Sequence, residues 1–166
     1  MARTLIKNGK VISTTGVIAQ DVLIDGETIS ALGSPGYFTD EGIDNVIDAA
    51  AKYVIPGGVD VHTHMELPFG GTFASDTFET GSRAAAWGGV TTIVDMAVQR
   101  AGENVFDGLA EWHRKADGEC AIDYAFHQII GGVDDESMKA PALPHRTRRH
   151  QQLQAVHGLP GRLLQR

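Results

Sequence analysis

The sequence predicts an α/β protein in which a small all-β segment precedes the opening of a parallel (β/α)8 barrel. Three observations carry that prediction. Residues 4–52 hold only short apolar runs separated by Asn-Gly, Asp-Gly and Gly/Pro turns, a β pattern. After His64, near-continuous apolar runs alternate with segments of helical period, as in a parallel sheet with crossover helices. At the junction, Pro56-Gly57-Gly58 leads into a strand carrying two histidines two residues apart. A closed barrel needs roughly 250 residues, so the 166 present begin the barrel without completing it.

Taken in order, Leu5-Ile6 and Val11-Ile12 flank Asn8-Gly9, and Val22-Leu23-Ile24 and Ile29-Ser30-Ala31-Leu32 flank Asp25-Gly26. Both read as two-residue hairpins, because such pairs tolerate the positive φ that tight turns require. A short strand at Val46-Ile47-Asp48 follows a loop built on Gly33, Pro35 and Gly36. Past a glycine-rich loop, Asp76 is placed to cap a helix, with Glu79 completing a capping box, Ala84-Ala85-Ala86 within it and Gly88-Gly89 at its end. Val90–Met96 reads as a buried strand. A second helix starts at Asn104, presents Val105, Leu109, Trp112 and Ala116 on one face and ends at Gly118. Ala121–Ile130 is a third strand, and Asp134-Asp135-Glu136-Ser137 opens a third helix. These elements define a β segment over 1–53, three strand–helix units over 54–140, and a tail over 141–166.

Composition bounds the rest. The chain carries −7 overall, but the tail holds Arg146, Arg148, Arg149, Arg162 and Arg166 with no acid. That leaves nine of the 14 basic groups and all 21 acidic ones in the first 140 residues, a balance of −12. No run approaches the roughly 18 apolar residues of a membrane span, and the N-terminus has no signal-peptide pattern, so the expectation is a cytoplasmic protein without a membrane partner. Cys120 is the single cysteine, which suits a reducing compartment and the role of a small buried side chain.

Chemistry concentrates at Val59-Asp60-Val61-His62-Thr63-His64-Met65. On a strand, residues two apart point the same way, so His62 and His64 present two imidazoles to one side while Val59, Val61 and Thr63 face the other. Imidazole is a good ligand for zinc, and a catalytic zinc takes about three protein ligands and a water, so the pair is half of a metal site. Two polar residues on an ordinary strand give the same pattern. Asp95 and His127 fall on or at the ends of strands, where barrel enzymes place functional groups; Asp95 reads here either as a support behind the ligands or as structural, and His127 as a polar residue packed near the barrel mouth. Trp87 and Trp112 stand at helical spacing and read as core.

The run Val54–His64, with Gly71–Gly81 and Ala84–Asp95, resembles the cyclic amidohydrolases, specifically the D-hydantoinase and dihydropyrimidinase family. The resemblance covers about residues 1–140. It implies that residues 1–53 are the N-terminal part of a β-sandwich domain beside an amidohydrolase barrel. It also implies two zinc ions bridged by a carbamylated lysine on the fourth barrel strand, with two further histidines and an aspartate on later strands. His62 and His64 match the two ligands of the first zinc. The other positions have no counterpart here, so no catalytic residue and no further cofactor-binding residue is assigned, and at most a partial zinc site is expected. The implied activity is hydrolysis of the ring amide of hydantoins or dihydropyrimidines to N-carbamoyl amino acids, on a small cyclic amide or ureide substrate. The intact family implies a homotetramer.

The tail departs from the family. Read back as CAG CAG CTT CAA GCT, Gln151-Gln152-Leu153-Gln154-Ala155 gives Ser-Ser-Phe-Lys after a one-nucleotide shift. With codons chosen among those permitted at each position, the same shift from Pro144 to Arg166 yields LIEHEGISSFKLFMAYPGVFYS, which resembles the family's fourth strand. The tail therefore reads as a disordered frameshift product, and the chain as written is expected to have negligible activity and poor solubility. A dihydroorotase-like or allantoinase-like enzyme is the neighbouring alternative, since H-x-H is shared across the superfamily. A non-catalytic fragment using the basic tail is the other; the tail has no aromatic residue to stack bases and the remaining chain is acidic, so no nucleic-acid partner is expected.

Overall fold

The computed structural model describes residues 2–100, 102–132 and 151–154 and divides into two compact units between Pro56 and Gly57. The first contains β1 (Arg3–Lys7), β2 (Lys10–Ser13), β3 (Gly16–Ala19), β4 (Asp21–Asp25), β5 (Thr28–Gly33), β6 (Asn45–Asp48) and β7 (Tyr53–Val54). They form one sheet ordered β5-β4-β1-β6 and another ordered β3-β2-β7.

The Asp25-Gly26 hairpin forms as expected, with Gly26 at φ 60. The Asn8-Gly9 hairpin does not: β1 pairs with β4 and β6, and β2 with β3 and β7. Asn8 takes the left-handed φ of 65 that suggested a hairpin, yet the turn sends the chain from one sheet into the other. Its conformation is fixed by the buried Asp21 carboxylate, which accepts from the Asn8 backbone N–H at 2.9 Å and the Gly36 N–H at 2.7 Å. Asn8 Nδ2 also donates to Asp48 Oδ1 at 3.0 Å, a bond that lowers the Asp48 pKa below its ordinary value. β2 finds its antiparallel partner on its other side, across the Ser13–Gly16 turn.

The second unit contains β8 (Gly58–Thr63), β9 (Pro68–Phe69), β10 (Thr72–Phe73), α1 (Phe78–Trp87), β11 (Val90–Val98), α2 (Val105–Ala116), β12 (Asp123–Ile129) and β13 (Gln151–Gln154). Its main sheet is parallel throughout in the order β13-β12-β11-β8. No closed barrel is present among the described residues. The glycine-rich loop turns out to hold a small hairpin, β9–β10, closed by Gly70 and Gly71 at φ 61 and 82, values a residue without Cβ adopts freely. The third helix expected at Asp134–Ser137 lies outside the described residues. Of the tail, expected to be disordered, the structure describes Gln151–Gln154, whose backbone is an ordered strand beside β12, a correction for those four residues. No helix among the described residues is long and apolar enough to cross a membrane.

Both helices pack on the sheet through a core of Met65, Phe78, Ile93, Ala97, Val98, Trp112, Ala116 and Phe126. Burying each large apolar side chain contributes about 1.5–3 kcal/mol. The capping box of α1 lies one residue later than expected: Thr77 accepts from the Thr80 N–H, and the Thr80 hydroxyl accepts from the Thr77 N–H. Glu79 instead pairs with Arg83 one turn on, at 3.3 Å. Trp87, read as core, is 93% exposed. Nine residues at about 100° each place it roughly 180° around the helix from the buried Phe78, so its spacing points it away from the sheet. α2 matches its predicted start, with Asn104 Oδ1 accepting from the Phe106 N–H.

Gly108 lets α2 approach the end of β11 closely. A Cβ there would lie 2.9 Å from the Val98 carbonyl oxygen and 3.3 Å from Gln99 Cα. Gly108→Ala gains about 1 kcal/mol of helix propensity but forces one backbone away from another. The expected net result is destabilisation by about 1–3 kcal/mol, read as a lower urea midpoint at unchanged slope. Cys120 packs against the same core, and burial, reinforced by Asp95, Asp117 and Glu119, pushes its thiol up to about 11. Because the thiolate is the nucleophile, alkylation by iodoacetamide is expected to be slow at pH 8. It should quicken about tenfold per pH unit until the thiol ionises.

Candidate metal centre

β8 is an end strand of the parallel sheet, paired through β11 and reached from the Pro56-Gly57-Gly58 turn. Its strand alternation brings the two histidines together as expected. The rings of His62 and His64 lie 4.9 Å apart at 89°, and their Nε2 atoms are 3.2 Å apart. Both side chains are exposed, as are Val59 and Val61 at 60% and 58%. Asp60 stabilises the strand locally, its Oδ1 accepting from the His62 backbone N–H at 3.1 Å.

The spacing of the two nitrogens tests whether the pair suits a metal. Two imidazole nitrogens about 2.05 Å from a tetrahedral zinc are about 3.3 Å from each other. The observed 3.2 Å matches that separation, and is also the distance of a ring-to-ring hydrogen bond. The set stops at two, because among the described residues no group of three or more His, Cys, Asp or Glu side chains could hold a metal ion. His127 and Asp95 are therefore not gathered with the histidine pair into one ligand cluster. His127, in register with Met96 on β11, is half-buried, and its Nδ1 is buried with no hydrogen-bond partner among the described residues.

Asp95 is fully buried in β11 and structural in a specific way. Its Oδ2 accepts from the Thr63 hydroxyl and from the Met65 backbone N–H, both at 2.8 Å, while Oδ1 accepts from Trp112 Nε1 at 3.1 Å. Burial raises its pKa above the ordinary carboxylate value, and these three donors, together with the Met96 backbone N–H, oppose that rise without cancelling it. Trp112, expected as core, is core and also a hydrogen-bond donor. The Thr63 and Trp112 contacts to Asp95 escape a reading by motif, since neither residue belongs to the H-x-H pattern. The available signal is Asp95 itself, a carboxylate inside an apolar strand that must find donors to be tolerated there.

Beyond His64 the chain turns sharply. Glu66 adopts φ 52, its N–H donates to the Asp76 carbonyl at 2.9 Å, and its carboxylate lies 3.5 Å from Lys115 Nζ on α2. Lys115 also sits 4.5 Å over the Trp112 ring and 3.9 Å from Glu111.

Comparison with known proteins gives these features a context. The chain is 56% identical over 140 residues to a D-hydantoinase of Streptomyces coelicolor, a match covering 83% of this chain and 30% of that protein. It is 36% identical over 146 residues to a dihydropyrimidinase of Rattus norvegicus, covering 84% of this chain and 28% of that protein. Among solved structures, the dihydropyrimidinase from Brevibacillus agri superposes with a TM-score of 0.77 at 44% identity, over 82% of this chain and 29% of that one. This chain thus spans less than a third of the length of each of these relatives. No family model matches it.

Replacing Trp112 with Phe removes the Nε1 donor from Asp95 Oδ1 and leaves a gap where the indole packed. Trp112→Phe is expected to cost about 1–3 kcal/mol of stability in urea unfolding, because a buried acceptor loses its partner.

Proposed function

Since this chain belongs to the D-hydantoinase and dihydropyrimidinase family, whose N-terminal part it matches, we propose that it carries the first half-site of a zinc-dependent cyclic amidase. The reaction would be hydrolysis of the ring amide of a hydantoin or dihydropyrimidine, opening the ring to an N-carbamoyl amino acid. The observation that carries this reading is the 3.2 Å convergence of His62 Nε2 and His64 Nε2 on the first strand of a parallel sheet.

In this reading His62 and His64 hold zinc through Nε2, and β8 keeps the two rings on one face. Zinc, when bound, would polarise the ring carbonyl and acidify a water. Ring opening also needs a base to take the proton of that water and return it to the leaving nitrogen. Among the described residues no further acid or histidine clusters with the histidine pair. The residues in hand thus bind without completing the chemistry. The finer fold reading, three strand–helix units of an amidohydrolase barrel beside the start of a β-sandwich domain, is part of this proposal. So are the tetrameric state of the intact family and the cytoplasmic setting.

We also infer that residues 144–166 are family sequence read in a shifted frame. Support comes from the sequence itself: with permitted codons, a one-nucleotide shift over the whole of Pro144–Arg166 writes a string that resembles the family's fourth strand.

Two measurements test these readings. Zinc titrated into the metal-free chain is expected to bind at one site, and His62→Ala and His64→Ala are each expected to weaken it at least tenfold. No opening of a hydantoin ring should follow in the loaded chain; robust turnover would refute the half-site reading. Sequencing the source DNA across the codons for Lys139 to Arg166 should reveal a one-base shift that restores a long open frame. Finding no such frame would make the tail genuine.

A further inference from the structure

We infer that Asp95 is the positioning residue of the imidazole pair, setting the backbone on both sides of His64, and that α2 holds this arrangement through Trp112 and Lys115. The inference rests on the reading of His62 and His64 as metal ligands and adds to it the device that aims them.

The geometry is specific. One carboxylate oxygen, Asp95 Oδ2, receives the Thr63 hydroxyl and the Met65 N–H, each at 2.8 Å. These residues immediately precede and follow His64. A buried strand position needs no carboxylate; an apolar residue would fill it without desolvation cost. What a carboxylate does here, and an apolar side chain cannot, is fix two donors at positions 63 and 65. The alternation of the strand then turns residue 64 to the opposite face, toward the ring of His62.

Behind the carboxylate stands α2. Trp112 Nε1 donates to the other oxygen at 3.1 Å, which fixes the plane of the carboxylate. Three residues along the same helix, Lys115 reaches Glu66 at 3.5 Å while lying over the Trp112 ring. Glu66 is the residue at which the chain turns away with φ 52. Residues 63–66 are therefore held by Asp95 at two points, by Lys115 at a third and by the Asp76 carbonyl at a fourth. These contacts tie the histidine strand, β11 and α2 to one another.

The test separates aiming from mere stability. Zinc affinity of the 166-residue chain is measured by competition with a chromophoric chelator for the wild type, Asp95→Asn, Thr63→Val, Thr63→Ser and Ser82→Ala. Loss of outer partners of metal ligands weakens binding about 10–100-fold. Asp95→Asn is expected within that range and Thr63→Val near its lower end. Thr63→Ser, which keeps the hydroxyl, should bind within about twofold of wild type. Ser82→Ala on α1, which takes the acceptor from the Ala121 N–H and touches none of the groups around Asp95, should lose stability but also keep its affinity. A second readout needs no metal: the nuclear Overhauser contact between the ring protons of His62 and His64 should weaken in Asp95→Asn and Thr63→Val and persist in Thr63→Ser.

Wild-type affinity and an intact ring contact in Asp95→Asn and Thr63→Val would overturn the inference and leave Asp95 a purely structural residue. Equal losses in Ser82→Ala would overturn it too, by reducing the effect to stability. If the wild type itself binds no zinc, the metal-ligand reading is what fails. The ring contact then decides the positioning role alone, and its survival in Thr63→Val overturns that role.

Discussion

The second unit depends on one buried carboxylate. Asp95 lies in the middle of an apolar strand, where an unsatisfied charge would cost several kcal/mol, and three donors from two other elements make its burial tolerable. The dependence runs both ways. Trp112 is a large indole whose N–H would be stranded in the core without an acceptor, and the Met65 N–H lies where β8 has ended and no strand partner reaches it. Each group excuses the burial of another. Removing any member leaves an orphan rather than a smaller core, so the network ties the geometry of the histidine strand to the packing of a helix 50 residues further along the chain.

How much of this was legible in the sequence varies with the range of the interaction. The histidine pair was legible because it needs only the two-residue period of a strand, and the structure gives it the convergence that period implies. The start of α2 was legible because Asn104 acts on its own helix. The Asn8-Gly9 turn was misread for the opposite reason. Its backbone conformation was right, but partner choice is set by β4 and β6, which come later in the chain. Trp87 shows a further limit: the core face of α1 is chosen by Phe78, Gly81 and Ser82, and the tryptophan at the last turn falls on the other side. Asp95 was recognised as a supporting or structural residue, but the donors that make it so are not neighbours in sequence.

The exposed β8 strand belongs to the same picture. Val59 and Val61 carry β-branched side chains suited to a buried sheet, yet more than half of each is open to solvent. The alternation that sends the histidines to one face sends these valines to the other. In the described residues one side of the strand offers ligands and the other an apolar surface, with the Asp95 network anchoring the end of the strand between them.

The place of β1 in its sheet bears on how the chain acquires structure as it is made. β1 lies between β4 and β6, and its register with β6 joins Thr4 to Asn45. β1 thus cannot complete its hydrogen bonding until about 40 further residues have followed it. At about 5–20 residues per second of synthesis, it waits on the order of 2–8 s with one edge unpaired. Pairings of such sequence separation form slowly in any case, because loop closure precedes the contacts that repay it. β1 is therefore made well before the strand that covers its second edge.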